Sequence, residues 1–222
     1  MDEVDLKVET LGWVRRACRG RDLPVVASEF SLNGTGIRAD LAILSRTFCG
    51  IEIKSGADTL KRLPSQMEGY ARYFDQTMLI TAAKHERGLK AVDLHRAEVW
   101  VHEKSAGFRQ IRVGALDTVS GHTLLGLLTA EEERRAARSF SQRQNRGHAD
   151  DHDFYRMEFE AAFRKRYRET SDQFWSAVKG RPIRRDDLNL LSRYYADRQR
   201  HVEAVAAEEA KWSLWAQRMA TG

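Results

Sequence analysis

Cysteine is nearly missing from this chain: Cys18 and Cys49 are the two thiols in 222 residues. Two thiolates cannot complete a four-cysteine zinc site or carry an iron–sulfur cluster by themselves, so both read as buried free thiols. The seven histidines show no close metal-binding spacing. His148 and His152 sit in a polar stretch that reads as a solvated loop. No apolar run approaches the roughly 20 residues of a bilayer span, and Met1-Asp2-Glu3 opens no signal-type segment. A cytoplasmic chain that engages no membrane is the expectation. Internal repeats and low-complexity segments are absent. A tail of one charge sign is absent too, since residues 126–222 hold 19 Lys/Arg against 16 Asp/Glu, close to the balance of the whole chain (37 against 32).

What is present is a globular composition, 42% hydrophobic and 31% charged, with net charge +5 and a pI near 9.3. The length suits one ordinary core with an appended subdomain. The positive balance favours an acidic partner such as nucleic acid without deciding for it. Residues 2–18 read as a helix, with Val4, Val8, Leu11, Val14 and Cys18 at three- and four-residue steps. Val25–Ser31, Ile37–Ser45 and Phe48–Ser55 read as strands. Asn33-Gly34-Thr35-Gly36 is the turn between the first two. Leu60–Phe74 reads as a helix with an early Pro64 and a Ser65…Glu68 capping box. Thr77–Ala82 is an apolar strand, and Val99–His102 with Phe108–Val113 alternates like a hairpin. From Thr123 onward only helices are expected: one ending near Arg138, one over Phe154–Val178 and a long one over Leu188–Met219. The layout is an α/β core over 1–120 and an all-helical region over 121–222.

Charged residues stand in strand context where a plain core would be apolar. In Gly50-Ile51-Glu52-Ile53-Lys54, alternation sends Ile51 and Ile53 to one face and Glu52 and Lys54 to the other. A turn centred between Gly34 and Thr35 sets Glu29 directly opposite Asp40. Two opposed carboxylates need a compensating cation, for which Arg38 or a divalent metal would serve. Glu9 on the first helix competes with Glu29 as an additional acid. Asp58 reads as the N-cap of the next helix rather than a ligand. Gln66 and Tyr70 share a face of that helix, one turn apart.

Asp40, then Glu52-x-Lys54, then Gln66-x-x-x-Tyr70 resembles the PD-(D/E)XK nuclease core, in its RecB-type branch. Glu29-Phe30, Arg38-Ala39-Asp40 and Glu52-Ile53-Lys54-Ser55 also resemble small bacterial nuclease-fold proteins of the MmcB type. The resemblance covers roughly residues 1–115. It implies a restriction-endonuclease-like mixed sheet flanked by helices and a metal-dependent deoxyribonuclease. Asp40, Glu52 and Glu29 would hold Mg²⁺ or Mn²⁺, hard ions that take oxygen ligands. Lys54 would support the attacking water and the developing charge. Gln66 and Tyr70 would position the substrate. The cysteine count excludes the iron–sulfur members of that branch. Lys61 and Arg62, in the first helical turn, and the Arg164, Lys165, Arg166, Arg168 cluster read as DNA contacts or as solvated faces. The C-terminal helices would then bind DNA, a protein partner or a second copy. The alternative is a nuclease fold without cleavage, a DNA-binding or protein-interaction module in DNA repair or phage–host conflict.

Overall fold

The computed structural model describes residues 1–19, 21–103, 105–144, 151–192 and 212. Helix α1 (Glu3–Ala17) starts at Asp2, whose carboxylate accepts from the Asp5 N–H while Asp5 reciprocates, a closed capping box. It buries Leu6, Lys7, Thr10, Leu11 and Val14. The buried stripe is therefore rotated from the expected one: Val4 and Val8 are only half-buried, and a lysine points inward.

Strands β1 (Val25–Leu32), β2 (Ile37–Leu44) and β3 (Phe48–Lys54) follow as an antiparallel meander. Helix α2 (Leu63–Tyr73) returns the chain so that β4 (Gln76–Ala82) lies parallel to β3. The start of α2 differs from expectation. Its N-cap is Arg62, with no side-chain cap, and Ser65 bonds back to the Arg62 carbonyl instead of forming a box with Glu68. Asp58 lies too far upstream to cap it. A short 3₁₀ turn and α3 (Glu86–Leu89) lead to β5 (Glu98–Glu103), parallel to β4, and the hairpin closes with β6 (Gly107–Arg112). The result is one mixed six-stranded sheet in sequential order β1 to β6.

Helices α4 (Gly121–Leu125), α5 (Ala130–Gln144) and α6 (Asp151–Ala177) form the C-terminal helical region. Arg185–Leu191 is 3₁₀ rather than the start of the expected long helix. The rest of that expected helix, apart from Trp212, and His148 fall outside the described residues, whereas His152 stands in the first turn of α6 and not in the expected loop. Among the described residues no helix is long and apolar enough to cross a membrane.

Two apolar layers sandwich the sheet. One joins Phe30, Phe48, Phe74 and Tyr70 to α6 through Phe159, Phe163 and Tyr167. The other joins Ile51, Ile53, Met78 and Ile80 to α1 and to Phe174 and Trp175. Helix α6 thus contributes to both layers by crossing the β1 edge. Gly50 makes the first layer close: a Cβ there would lie 2.3 Å from the Phe74 ring.

Asp75, 1% exposed, ties this assembly together. Its carboxylate accepts from the Phe48 N–H at 2.8 Å, the Val119 N–H at 2.9 Å and both guanidinium nitrogens of Arg156 on α6. Burial works against its charge, but Arg156 and the two amides outweigh it and hold its pKa below the usual value. Removing Arg156 leaves that charge buried without its cation. Arg156→Met should cost about 3–5 kcal/mol, whereas Arg168→Ala on the exposed face of the same helix should stay within about 0.5 kcal/mol. Urea unfolding of both variants checks this; equal midpoints would remove Asp75 as the tie.

Candidate functional site

The site begins with a bend in the β1–β2 ladder. Ser28 pairs with Leu41 and Phe30 with Ala39, on the register set by the Asn33–Gly36 turn, but Glu29 and Asp40 drop out of the pairing. Glu29 takes φ 57°, the left-handed region that a β-carbon disfavours. One residue leaves each strand, so the register survives while the faces exchange. Val25 and Ala27 share a layer with Phe30 and Leu32, and Ala42 and Leu44 share it with Ala39. The expected opposition of Glu29 and Asp40 is thus correct in register and altered in geometry.

The two acids then part company. Glu29, exposed, is held by Arg38 at 2.7 Å and by Lys7 of α1 at 2.8 Å. Lys7 also reaches Glu3 at 3.5 Å. Asp40 turns toward β3 and accepts from the Ile53 N–H at 2.6 Å, just past the last β2–β3 pair, Leu41 with Ile51. Its carboxylate replaces a ladder bond where the strands diverge. Burial, then the charge of Glu52, pushes its pKa up to about 7, against the pull of Lys7 and the Ile53 amide. Burial opposes the charge on Lys7, yet Glu29, Asp40 and Glu3 together raise its pKa.

Glu52 and Lys54 share a face as alternation requires, but that face is covered by α2. Glu52 is 1% exposed and Lys54 7%. Oε1 of Glu52 accepts from the Lys54 ammonium and from Gln66 Nε2, and Oε2 accepts from the Tyr70 hydroxyl at 2.6 Å. Burial and the neighbouring carboxylates drive the Tyr70 hydroxyl well above its ordinary pKa, so it stays a donor. The structure therefore brings Asp40, Glu52, Lys54, Gln66 and Tyr70 together. Asp40, Glu52, Lys54 and Gln66 line one cleft of 690 Å³, together with Glu3, Glu29, Arg38 and Arg62. Asp58 borders it too, accepting from the Ser55 amide and hydroxyl, and so fixes the turn after β3.

Donors of the chain itself already occupy part of the metal site that the resemblance implies. Three donors occupy the Glu52 carboxylate, leaving about one of its four acceptor positions. Glu3, Glu29 and Asp40 form a group of three acids whose oxygens lie within 4.8 Å of one another. The ammonium of Lys7 already supplies a cation to Glu3 and Glu29. Glu9, the competing acid, is exposed and stands outside this group. Charged side chains on the buried stripe of α1 are the part that sequence reasoning missed; the one available signal was Glu3 and Lys7 standing four residues apart.

The proposed DNA contacts divide. Lys61 and Arg62 are exposed at the start of α2, and Lys165 and Arg168 are exposed on α6. Arg164 reaches the Ser45 carbonyl at 3.5 Å. Arg166 is taken up internally: it bonds the Leu127 carbonyl, pairs with Glu132 and lies over the Phe30 and Tyr167 rings.

A sequence model of the family described as bacteriophage P4 protein cII matches residues 1–192. The chain belongs to the bacteriophage P4 protein cII family. Protein cII of Enterobacteria phage P4 is 24% identical over 206 residues, covering 86% of this chain and 78% of that protein. No solved structure matches the chain. Membership in the cII family corrects the reading drawn from the motif. The family match runs through sheet and helices alike, whereas the nuclease likeness rested on a few positions between Glu29 and Tyr70. The assignment to the PD-(D/E)XK superfamily, in its RecB-type or MmcB-type form, is withdrawn. So is the magnesium-dependent deoxyribonuclease activity built on it. What the cII-family chain shows in its place is a polar cluster beneath α2 in which Glu52 is met by three donors while the buried Gln66 Oε1 has no hydrogen-bond partner.

The raised pKa of Asp40 has a signed consequence. The folded chain keeps this proton between the unfolded value of 3.8 and about 7. Its contribution to stability is complete below the lower value and is lost as pH rises through the upper one. Asp40→Asn retains an oxygen for the Ile53 amide but cannot ionise. Its Tm relative to wild type should therefore rise between about pH 5 and about pH 8. Thermal melts across that range check this; parallel curves would place the titration elsewhere.

Proposed function

We propose that this cII-family chain is a DNA-binding module on a nuclease-like core that does not cleave. The order of the core, a helix, an antiparallel meander, a second helix and then parallel strands, supports a restriction-endonuclease-like arrangement of the sheet, with no common origin implied. The acids stand on the second and third strands, as that architecture would have them. The carrying observation is the closure of Glu52 by Lys54, Gln66 and Tyr70. A buried carboxylate met by an ammonium, an amide and a hydroxyl has its acceptor capacity used by the fold itself. In this reading the constellation anchors α2 to β3. The net charge of +5 and the excess of arginine serve binding to phosphate.

Binding without cleavage is directly testable. Wild type should bind labelled duplex DNA equally in EDTA and in Mg²⁺, and linear and supercoiled DNA should remain intact in both. Glu52→Ala strands the Lys54 charge and should cost about 3–5 kcal/mol of stability. Its affinity for DNA, measured below its melting temperature, should stay within about twofold of wild type. Mg²⁺-dependent nicking of supercoiled DNA, abolished in Glu52→Ala, would overturn the proposal.

A further inference from the structure

Charge is separated along the strand axis. The acidic cleft lies where β2 begins and β3 ends. The opposite end carries the α1–β1 connection and the β2–β3 turn, brought side by side by the pairing of Val25 with Leu44. Helix α6 runs past both. Arg164 reaches Ser45 in the β2–β3 turn. Ser171 accepts from the Val26 N–H at 3.1 Å and donates to the Pro24 carbonyl at 3.2 Å, and Trp175 donates to the same carbonyl at 2.9 Å. Arg15, near the end of α1, donates to the Val178 carbonyl at 2.7 Å. In order, α6 therefore meets the β2–β3 turn, the approach to β1 and the end of α1.

Each of those places presents exposed arginine: Arg46 in the turn, Arg21 before β1, and Arg16 and Arg19 at the end of α1. Helix α6 adds Arg168, one turn beyond Arg164. Among the described residues, Arg16, Arg19, Arg21, Arg46 and Arg164 form no ion pair with an acid. Arg168 meets Asp172 only at 3.9 Å, both side chains more than half exposed, a pairing of little worth in water. Asp22 and Glu169 are exposed in the same stretches of chain and offset part of this charge. From Arg164 to Val178 the helix rises about 21 Å, the length of about six base steps at 3.4 Å. The residues on this face include no exposed aromatic ring to stack on an unpaired base.

We infer that this arginine face, made by the β2–β3 turn, the approach to β1, the end of α1 and the flank of α6, holds the phosphate backbone of duplex DNA. The inference rests on the DNA-binding reading above and assigns the surface for it. The acidic cleft lies at the far end of the strands, so a duplex seated on the arginines keeps its phosphates away from Glu3, Glu29 and Asp40. The contact is electrostatic and indifferent to sequence.

The test is a salt titration of the affinity of the full chain for a fluorescein-labelled duplex. Three fourfold or threefold variants accompany wild type. Arg21, Arg46, Arg164 and Arg168 changed to alanine should flatten the log–log salt slope by up to about 3.6, from about 0.9 per lost phosphate contact. The same four changed to lysine should keep the slope, which separates charge from packing. Arg38, Lys61 and Arg62 changed to alanine, at the cleft end, should keep it as well. An unchanged slope in the alanine set, with wild type still binding, overturns the arginine face and leaves the DNA-binding reading standing. A slope lost in the cleft set instead moves the contact to the cleft and also overturns it. Failure of wild type to bind duplex, with retention by single-stranded RNA or anionic phosphatidylserine vesicles, overturns both.

Discussion

Asp75 takes its place immediately after α2, where the chain turns into β4, and the arrangement of the helical half over the sheet follows from what its carboxylate accepts. The Phe48 amide fixes the start of β3 and the Val119 amide fixes the approach to α4. Arg156 fixes the N-terminal half of α6. An apolar residue at this position would leave two amides without acceptors and an arginine, 17% exposed, without its counter-ion. The aromatic layer of Phe30, Phe48, Phe74, Phe159 and Phe163 is then assembled around a fixed polar point. Apolar surface alone has no preferred register; the carboxylate gives it one.

The strand pattern was legible because it depends on local chemistry. The Asn33–Gly36 turn fixes the β1–β2 register, and alternation fixes the faces of Ile51, Glu52, Ile53 and Lys54. The bend at Glu29 and Asp40 was not legible, since a positive φ at glutamate follows from Lys7 and Arg38 holding its carboxylate across space. Nor was the start of α2: Pro64 and Ser65 carry the right helix signals, but Asp58 is used two turns earlier to close Ser55. On α6 the helix itself could be read. The division of its arginines could not, because Arg156 and Arg166 are called inward by Asp75 and Glu132, which lie far away in sequence.

The same distinction explains why the Asp, Glu-x-Lys and Gln-x-x-x-Tyr pattern pointed to catalysis. Spacing reports which side chains share a face and says nothing of whether their lone pairs are free. Here Asp40 stands in for a backbone acceptor at Ile53, and Glu52 is enclosed by three donors of its own chain. Asp40, Glu52, Lys54, Gln66 and Tyr70 each make a contact within the fold, so the pattern alone does not require catalysis. Burial of Glu52 without partners would be costly, and burial with three donors makes a joint between α2 and β3.

That joint also orders the charge of the whole molecule. The cluster gathers Glu3, Glu29, Asp40 and Glu52 at one end of the strands, with Lys7, Arg38 and Lys54 spent on neutralising them. Among the described residues, Arg16, Arg19, Arg21, Arg46 and Arg164, where α1 finishes, β1 starts and β2 turns into β3, form no ion pair, and at the cleft end Lys61 and Arg62 form none either. Interactions between exposed charges fade beyond about 8–10 Å at physiological ionic strength, and from Asp40 to Leu44 at the turn end of β2 the strand runs four residues, about 13 Å at 3.3 Å per residue. The carboxylates are thus screened, though not removed, from a polyanion near the arginines. A chain of modest net charge can therefore present a strongly basic face, because its acids are drawn together into a structural cluster at the opposite pole.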